Sequence, residues 1–398
     1  MPSSALSCLK VIDLTQIMAG PFCTLLLADM GAEGIKVEKP GVGDDSRKMG
    51  PPFIKDESAA FLSINRNKRS IVIDLKQADG IEIMKTLIET ADVLVQNFRP
   101  HTLERLGLGY ESVREINPSI VYCSISGFGN TGPYKDKGGF DLIAQGMSGL
   151  MSVTGNEGNM PTKVGVPITD LSAGLYAAYG ILAAYVHRIN TGEGQHVDIS
   201  LLESGIGYTF WEAAEYFSTG NVPGPKGSAH RLNAPYQAFP TADGFINIGA
   251  ANQRNWERMC DAIDRRDLLD NELFSDNKQR MNNIDLLVET LSDTFKSRKT
   301  IDWQEVLETQ GVPCGPILTI DEVFNDPHVI SRDMVVETPH PTAGNVKNIG
   351  VPIKLSKTPG KVKHSAPILG SSTRAILKEH GYQDTQIDSY ISKNILYE

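Results

Sequence analysis

Short apolar runs alternate with helical patterns along the first two hundred residues, and this alternation limits the folds open to the chain. The runs "KVIDL" (10–14), "SIVIDL" (70–75) and "DVLVQNF" (92–98) are typical of strands, and each precedes a helical pattern. A repeated strand and helix predicts an open parallel sheet with right-handed crossovers. Because the runs are almost continuously apolar, both faces of the sheet should be covered. The expected fold class is α/β.

Length and charge narrow the possibilities further. The chain has 398 residues, which is too long for one ordinary core and suggests about two domains. Its formal net charge of −10 argues against a nucleic-acid partner or an anionic membrane surface. A local basic patch could still hold a small polyanion.

A change in composition marks a domain boundary. The segment "NVPGPKGSAHRLNAP" (221–235) is rich in Gly and Pro and is read as a linker. We therefore predict the first part of a large domain over 1–220 and a small central α+β domain over 221–330. The C-terminal segment, 331–398, is expected to contain a hairpin and a last helix at 372–380.

The cysteines and the start of the chain bear on location. The five cysteines are scattered without a C-x-x-C pair, which is typical of a reducing compartment and offers no zinc or disulfide framework. No signal peptide or membrane span is expected from the apolar segments. The predicted location is the cytoplasm, or the mitochondrial matrix if the source is eukaryotic.

One glycine motif matches a dinucleotide fingerprint by its letters alone. "GFGNTG" (127–132) follows a predicted strand, but Pro133 and "YKDKGG" come where a helix should open on a pyrophosphate. A nicotinamide cofactor is therefore not expected. The histidines show no metal-ligand spacing, and no G-x-S-x-G elbow occurs, so neither a metal site nor a hydrolase site is predicted.

Basic residues stand close to several strand ends. Arg66, Lys68 and Arg69 occur in "NRNKRS" (65–70), and further basic residues follow other strands. Three charges in a row are usually a solvated turn. The alternative is a phosphate-binding rim, because strand ends of an open α/β sheet face a common crevice. Lys39, Arg99 and Arg105 would contribute to the same rim.

Two aspartates precede helical patterns. In "GVPITDLSAG" (165–174), Asp170 stands before a long helix predicted at 171–190, and an N-cap is the ordinary role of such a residue. Asp141 has a similar place in the glycine-rich "GGFDLIAQG". The residues alone leave a cap and a chemical role open for both.

Several blocks carry a family likeness. "VIDLTQIMAGPFCTLLLADMGAEGIKVEKPG", "FLSINRNKRSIVIDL", "ADVLVQNFRPHTLERLGLGYE" and "GVPITDLSAGLYAAYGILAA" resemble the class III coenzyme A-transferases, the CaiB/BaiF family. So do "TGEGQHVDISLLES", "GVPCGPILTIDEVFNDP" and "GVPIKLSKTP" further on. The likeness runs in order through essentially the whole chain.

The resemblance implies a fold, an assembly and a set of site residues. It implies a Rossmann-like large domain built from both chain ends, a small central domain, and two subunits interlocked as a homodimer. Asp170 matches the nucleophile of the family. Positions implied along coenzyme A or its thioester are Met18, Ala19, Lys39, Asn65, Arg66, Asn67, Lys68, Asn97, Phe98, Arg99, Arg105, Gly138, Gly139, Phe140 and Asp141.

The implied reaction needs one carboxylate. Asp170 would attack an acyl-CoA to form a mixed anhydride, and the freed thiolate would convert it into an aspartyl-CoA thioester. A 2-methylacyl-CoA racemase on the same fold is the main alternative, but such relatives carry a His at the position of Phe140, and Phe moves no proton. A silent CoA-binding protein is the other alternative.

The acids exchanged are less constrained by the sequence. The region "GSAHRLNAPYQAFPTADG" (227–244) lacks a glycine run, and Met18 stands where oxalate-specific relatives carry Gln, so oxalate is not favoured. The likeness favours dicarboxylates such as succinate and glutarate. His230 or Arg231 could bind the distal carboxylate, since a guanidinium fork matches a carboxylate. Arg231 could equally lie in solvent or at a subunit interface.

Overall fold

The protein, described here from a computed structural model covering residues 4–398, falls into two compact units. The first contains residues up to 151, 163–220 and 327–398, and the second contains 152–162 and 221–326. The chain passes from the first unit to the second after Gly220 and returns at Pro327, and segment 152–162 groups with the second unit. The domain bounds given from the sequence stay a prediction.

The strands are β1 (Lys10–Asp13), β2 (Glu33–Glu38), β3 (Phe53–Ile54), β4 (Glu57–Ser58), β5 (Lys68–Ile73), β6 (Val93–Gln96), β7 (Val121–Ser126), β8 (His196–Ser200), β9 (Tyr236–Pro240), β10 (Phe245–Gly249), β11 (Cys314–Pro316), β12 (Val335–His340), β13 (Gly344–Ile349) and β14 (Leu396–Tyr397).

The α-helices are α1 (Ala19–Asp29), α2 (Ala59–Ile64), α3 (Ala78–Glu89), α4 (Thr102–Arg105), α5 (Tyr110–Ile116), α6 (Asp141–Met147), α7 (Leu150–Val153), α8 (Ile168–Thr191), α9 (Leu201–Ile206), α10 (Phe210–Thr219), α11 (Gln253–Ala262), α12 (Asn277–Asn282), α13 (Ile284–Phe295), α14 (Thr300–Thr309), α15 (Ile320–Asn325), α16 (Pro327–Ser331), α17 (Thr373–Glu379) and α18 (Asp384–Ser392).

The first unit is built on a large sheet with the strand order β14-β5-β2-β1-β6-β7-β8. Neighbouring strands from β5 to β8 run parallel, and β14 pairs antiparallel with β5 at the edge. The strand order reverses between β1 and β6. In open α/β sheets ligands bind beside such a reversal, outside the carboxyl ends of the strands.

Both faces of this sheet are covered, as the apolar runs predicted. Along β1 and just beyond it, Val11 packs into the core on one face, whereas Ile12 and Leu14 pack into the core on the other. In β6, Val93 and Val95 share the first face and Leu94 the second. This alternation explains why the strands are apolar without a polar side.

The long helix α8 packs tightly on α1. Small residues recur along one side of α8 and are buried, as expected for a helix that approaches another backbone closely: Ala173, Gly174, Ala177, Ala178 and Ala184. The helix ends at Gly192, which has the left-handed conformation (φ 81°) of a helix C-terminus.

The second unit has a core of its own. Strands β9, β10 and β11 form an antiparallel sheet. Helices α11, α13 and α14 bring Trp256, Phe295 and Trp303 together in its fully buried centre. Trp303 donates its indole N–H to the carbonyl of Phe295 (2.7 Å), which satisfies the polar group of the buried ring.

The C-terminal segment belongs to the first unit. The expected hairpin is β12 and β13, and the expected last helix corresponds to α17. The sequence did not predict α18 or β14. Arg374 pairs there with Asp384, Asp388 and the side chain of Glu398, which ties the last residues to α17.

Candidate functional site

A crevice lies at the carboxyl edge of the large sheet, beside the reversal of strand order. It contains a cavity of about 490 Å³ formed by the residues that follow β1, β2, β5 and β6. Side chains of both polar and apolar character line it, including Thr15, Gln16, Lys39, Asp44, Lys76 and Phe98. Lys39 and Phe98 were expected along the cofactor. The cavity size suits a nucleotide. Its lining combines Lys76 and Lys39, which pairs with Asp45, with the carboxylates of Glu38, Asp44 and Asp74.

The turn that follows β1 is held rigidly. Gln16 donates its N–H to the side chain of Asn97 (2.9 Å) and accepts from the same amide at its carbonyl (2.8 Å). Ile17 donates its N–H to Asp44 (3.0 Å), and the carbonyl of Thr15 accepts from Lys36 (2.9 Å). These bonds hold Ile17 in a left-handed conformation (φ 71°), which is costly for a β-branched residue.

Buried charges lie beneath this turn. Asp13 accepts from Lys68 (3.0 Å), and Asp44 pairs with Lys36 (2.8 Å). Burial alone would raise the pKa of Asp13, but the two lysines hold it well below its ordinary value. Burial lowers the pKa of Lys68 to about 8, against the opposing effect of Asp13. Such a network is stable only while each charge keeps its partners.

The loop predicted to follow the diphosphate has internal partners. Arg66 and Asn67 donate to the buried carboxylate of Asp29 (2.6 and 2.7 Å), and Lys68 donates to the side chains of Asp13 and Asn65.

Residues 65–67 precede β5 and lie at the amino end of that strand, whereas the Nζ atom of Lys68, the first residue of β5, reaches Asp13 beneath the turn that lines the crevice. These bonds give the side chains a structural role, and their contact with the cofactor stays a prediction. The other end of β5 reaches the crevice, where Asp74, the last residue of "SIVID", and Lys76 line the cavity.

A glycine in α8 allows the backbones of α1 and α8 to approach each other closely. A Cβ atom on Gly174 would lie 2.6 Å from the carbonyl oxygen of Ala19, so only glycine permits this approach. Met18 and Ala19 open α1, and Gly174 lies one turn after Asp170 in α8. The two helix N-termini therefore lie side by side, and the backbone expected beside the thioester adjoins the helix of Asp170.

Asp170 is not the N-cap that the sequence suggested. Helix α8 begins at Ile168 with Pro167 as its N-cap, so Asp170 is the third helical residue. Burial and the charge of Asp141 raise its pKa from 3.8 to about 7. Burial and the like charge of Asp141 therefore outweigh the helix dipole, which favours an ionised carboxylate at a helix N-terminus.

Asp141 is fixed against the residue that precedes Asp170. Its carboxylate accepts from the N–H and the hydroxyl of Thr169 (2.9 and 2.8 Å) and from Gln145 (2.7 Å). Gln145 in turn accepts from the N–H of Val164 (2.9 Å). Thr169 and Gln145 are fully buried, so the orientation of Asp141 is well defined.

Two glycines place the segment that leads to Asp141. A Cβ atom on Gly139 would lie 2.5 Å from the Cα atom of Gly127, so the two loops touch backbone to backbone. Gly127 is the first residue of the "GFGNTG" motif, and its role is therefore close packing of this loop against the loop of Gly139. Phe140, the N-cap residue of α6, is 75% exposed, and Gly138 has open space around it.

The remaining predicted contacts are dispersed. Arg99 lines a smaller cavity of about 140 Å³ over β6 and β7, together with His101 and Lys135. Arg105 is exposed on α4 and donates weakly to Thr102 (3.4 Å). Neither arginine lines the larger cavity.

His230 and Arg231 belong to the second unit. His230 stacks on Tyr236 with 5.1 Å between ring centroids, and Arg231 donates to the carbonyl of Gly224 (2.6 Å). Within residues 4–398 the structure shows neither a cluster of His, Cys, Asp and Glu suited to a metal ion nor a helix long and apolar enough to cross a membrane.

Comparison with known proteins gives the family. A family model described as CoA-transferase family III matches residues 6–373. The chain is 41% identical over 388 residues to succinyl-CoA:glutarate CoA-transferase of Homo sapiens, covering 97% of this chain and 89% of that protein. It is 39% identical over 381 residues to succinate–glutarate CoA-transferase of Agrobacterium fabrum, covering 94% and 95%.

A solved structure agrees. The crystal structure of a CaiB/BaiF family protein from Brucella suis superposes with a TM-score of 0.86 at 37% identity, covering 95% of this chain and all of that one. The chain therefore belongs to CoA-transferase family III, the CaiB/BaiF family. It is an enzyme that uses a CoA thioester as substrate and transfers the coenzyme A to an acid.

Proposed function

We propose that this enzyme moves coenzyme A from succinyl-CoA to a dicarboxylic acid of the glutarate type, with Asp170 as the nucleophile. The names of the relatives from Homo sapiens and Agrobacterium fabrum support the acids. The observation that supports Asp170 as the nucleophile is its position, because it is a partly buried carboxylate at the N-terminus of α8, beside the N-terminus of α1.

The proposed reaction proceeds in two exchanges at Asp170. The carboxylate attacks the thioester carbonyl, the C–S bond breaks, and a mixed anhydride and a thiolate form. The thiolate then attacks the Asp170 carbonyl, which releases the donor acid as a carboxylate and leaves an aspartyl-CoA thioester. An incoming acid reverses both exchanges, so the thioester energy is conserved. Backbone N–H groups of Met18 and Ala19 are suitable donors to the oxyanions.

The coenzyme A would occupy the crevice. Lys39 and Lys76 line the cavity and would face the phosphates of the nucleotide, while Phe98 offers an apolar surface. Asn97 would act through the turn that it holds at Gln16. The side chain of Phe140 has no group that can transfer a proton, and in this respect the proposed enzyme differs from a racemase on the same fold.

We also propose that the large domain is Rossmann-like and that two subunits form an interlocked homodimer. The strand order β5-β2-β1-β6-β7-β8 supports a Rossmann-like large domain completed by the C-terminal segment. Exposed apolar residues support an interlocked homodimer, because a monomer rarely exposes so large an apolar surface. They lie along α8 and α10 and include Leu175, Tyr179, Ile189, Phe210 and Phe217.

We further propose that His230 and Arg231 bind the distal carboxylate of the acid. Arg231 offers a planar fork of donors that suits a carboxylate. The free cysteines support a reducing location, the cytoplasm or the mitochondrial matrix.

The substrate proposal is tested by incubating the purified enzyme with succinyl-CoA and single acids and detecting the new acyl-CoA by mass spectrometry. We expect glutaryl-CoA from glutarate, with little product from oxalate or from monocarboxylates such as butyrate. An Arg231→Ala variant should raise KM for glutarate and leave KM for succinyl-CoA less affected. Preferential use of butyrate or oxalate would refute the assignment.

A further inference from the structure

A second carboxylate is built rigidly beside the proposed nucleophile. Asp141 accepts hydrogen bonds from the N–H of Thr169, the hydroxyl of Thr169 and the side-chain amide of Gln145, all between 2.7 and 2.9 Å. A carboxylate that only accepts hydrogen bonds is in the arrangement of the ionised form. Asp141 therefore places a fixed negative charge at this point of the structure.

The separation of the two carboxylates is limited by covalent geometry. The Asp141 oxygen lies 2.9 Å from the nitrogen of Thr169. Adding the backbone bonds from that nitrogen puts the oxygen within about 9 Å of the Cα atom of Asp170. Among the described residues, Asp170 has no cationic partner in an ion pair, whereas Asp13 pairs with Lys36 and Lys68 and Asp44 pairs with Lys36. The negative charge of the Asp170 carboxylate is therefore not neutralised by an ion pair with a cation among the described residues.

The proposed reaction changes the charge at Asp170. Free enzyme carries a carboxylate there, whereas the aspartyl-CoA thioester is neutral at the same position. The overall exchange is Asp170 carboxylate plus acyl-CoA giving Asp170–CoA thioester plus the free carboxylate of the donor acid. Atoms and charge balance, because the donor acid carries away the negative charge. The Asp141 carboxylate therefore repels the free Asp170 carboxylate before this exchange and does not repel the neutral thioester after it.

We propose that the charge of Asp141 shifts the equilibrium of the enzyme toward its covalent CoA form, by destabilising the free Asp170 carboxylate. This inference rests on the proposed function, because it needs Asp170 to carry the coenzyme A. Asp141 acts on the nucleophile through space and through the position of Thr169, so it is a positioning and electrostatic residue. The raised pKa of Asp170 has the same cause in part and agrees with this role.

The test is the equilibrium between free and covalently loaded enzyme. The enzyme is mixed with succinyl-CoA and succinate at a fixed ratio at about pH 8.5, where Asp170 is mostly ionised. The ratio of CoA adduct to free enzyme is then read by intact-mass spectrometry. Two unit charges roughly 10 Å apart at an effective dielectric of about 20 change an equilibrium by roughly ten- to twentyfold. Asp141→Asn should lower the ratio by about that factor.

Asp141→Glu is the matched control because it keeps the charge. Its adduct ratio should stay within about threefold of the original enzyme. An unchanged ratio in Asp141→Asn, or an equal loss in both variants, would overturn the inference. If the unaltered enzyme formed no adduct at Asp170, the proposed function itself would fail, and the two failures are therefore distinguishable.

A double variant guards against a local folding defect. In Asp141→Asn alone, the new amide group would face the donor of Gln145 or of Thr169. Combining it with Gln145→Glu restores an acceptor opposite the new amide and keeps an acceptor for Val164, while the negative charge moves from residue 141 to residue 145, which bonds the Asp141 oxygen that does not face Thr169. Its ratio should lie between those of Asp141→Asn and the original enzyme, and a ratio at or above the original would contradict the inference.

Discussion

Replacing Gly174 by alanine tests how closely α1 and α8 must approach. The added Cβ would lie 2.6 Å from the carbonyl oxygen of Ala19, and relief of this clash needs a shift of about 0.6 Å. Overpacking of this kind costs about 1–3 kcal/mol, of which alanine's better helix propensity offsets up to about 1 kcal/mol. The thermal midpoint should fall by only a few degrees.

Activity should suffer more than stability. A displacement approaching 1 Å between reacting groups costs up to about 100-fold, so Gly174→Ala should lower kcat by at least about tenfold. Gly180→Ala, in the same helix as Gly174, is the control, since its Cβ would meet only a side-chain carbon of Val197 in β8, at 2.8 Å. Turnover of succinyl-CoA with glutarate and thermal unfolding measure the two effects. Equal activity in both variants would refute the link between the α1–α8 contact and the site.

Three further predictions concern charge. Because the folded pKa of Asp170 is about 7, kcat/KM should fall about tenfold per pH unit below that value. The same pKa is raised on folding, so the stability that the protonated carboxyl contributes is lost as pH rises through the folded pKa. Asp170→Asn should therefore be about 2 kcal/mol more stable than the original at about pH 8 by urea unfolding, and a less stable variant would contradict this. Arg66→Ala, which leaves Asp29 buried without its ion pair, should cost about 3 kcal/mol by the same method with KM for acyl-CoA unchanged, and a higher KM without loss of stability would instead support the predicted contact with the cofactor. Lys39→Ala and Lys76→Ala should each raise KM for acyl-CoA several-fold, more at low salt, while thermal stability is retained.

The sequence predicts the parallel sheet and its crevice because both depend on local patterns. Apolar runs identify β1 and β6 as central strands, and Lys39 follows β2 directly, so its place at the carboxyl edge needs no tertiary information. Charge alone does not say which edge a residue occupies. Arg66 precedes β5 and Lys68 is its first residue, and the pairing of β5 with β2 places both at the amino end of these strands.

Features of the site that depend on contacts between distant segments could not be predicted. The approach of Ala19 to Gly174 joins two helices about 150 residues apart, and an alanine-rich helix gives no sign of its partner. The raised pKa of Asp170 depends on burial and on Asp141, and a helix-cap pattern predicts the opposite direction. The family likeness identified Asp170 as the candidate, whereas its protonation behaviour needed the structure.

The central claim is that Asp170 carries the coenzyme A during turnover. The enzyme is incubated with succinyl-CoA without an acceptor acid, trapped with borohydride or hydroxylamine, digested, and the peptide containing Asp170 is sequenced by mass spectrometry. The account predicts modification at Asp170 in the original enzyme, and neither modification nor transfer activity in Asp170→Asn. Transfer at an undiminished rate in Asp170→Asn, or a trapped adduct on another residue, would contradict it.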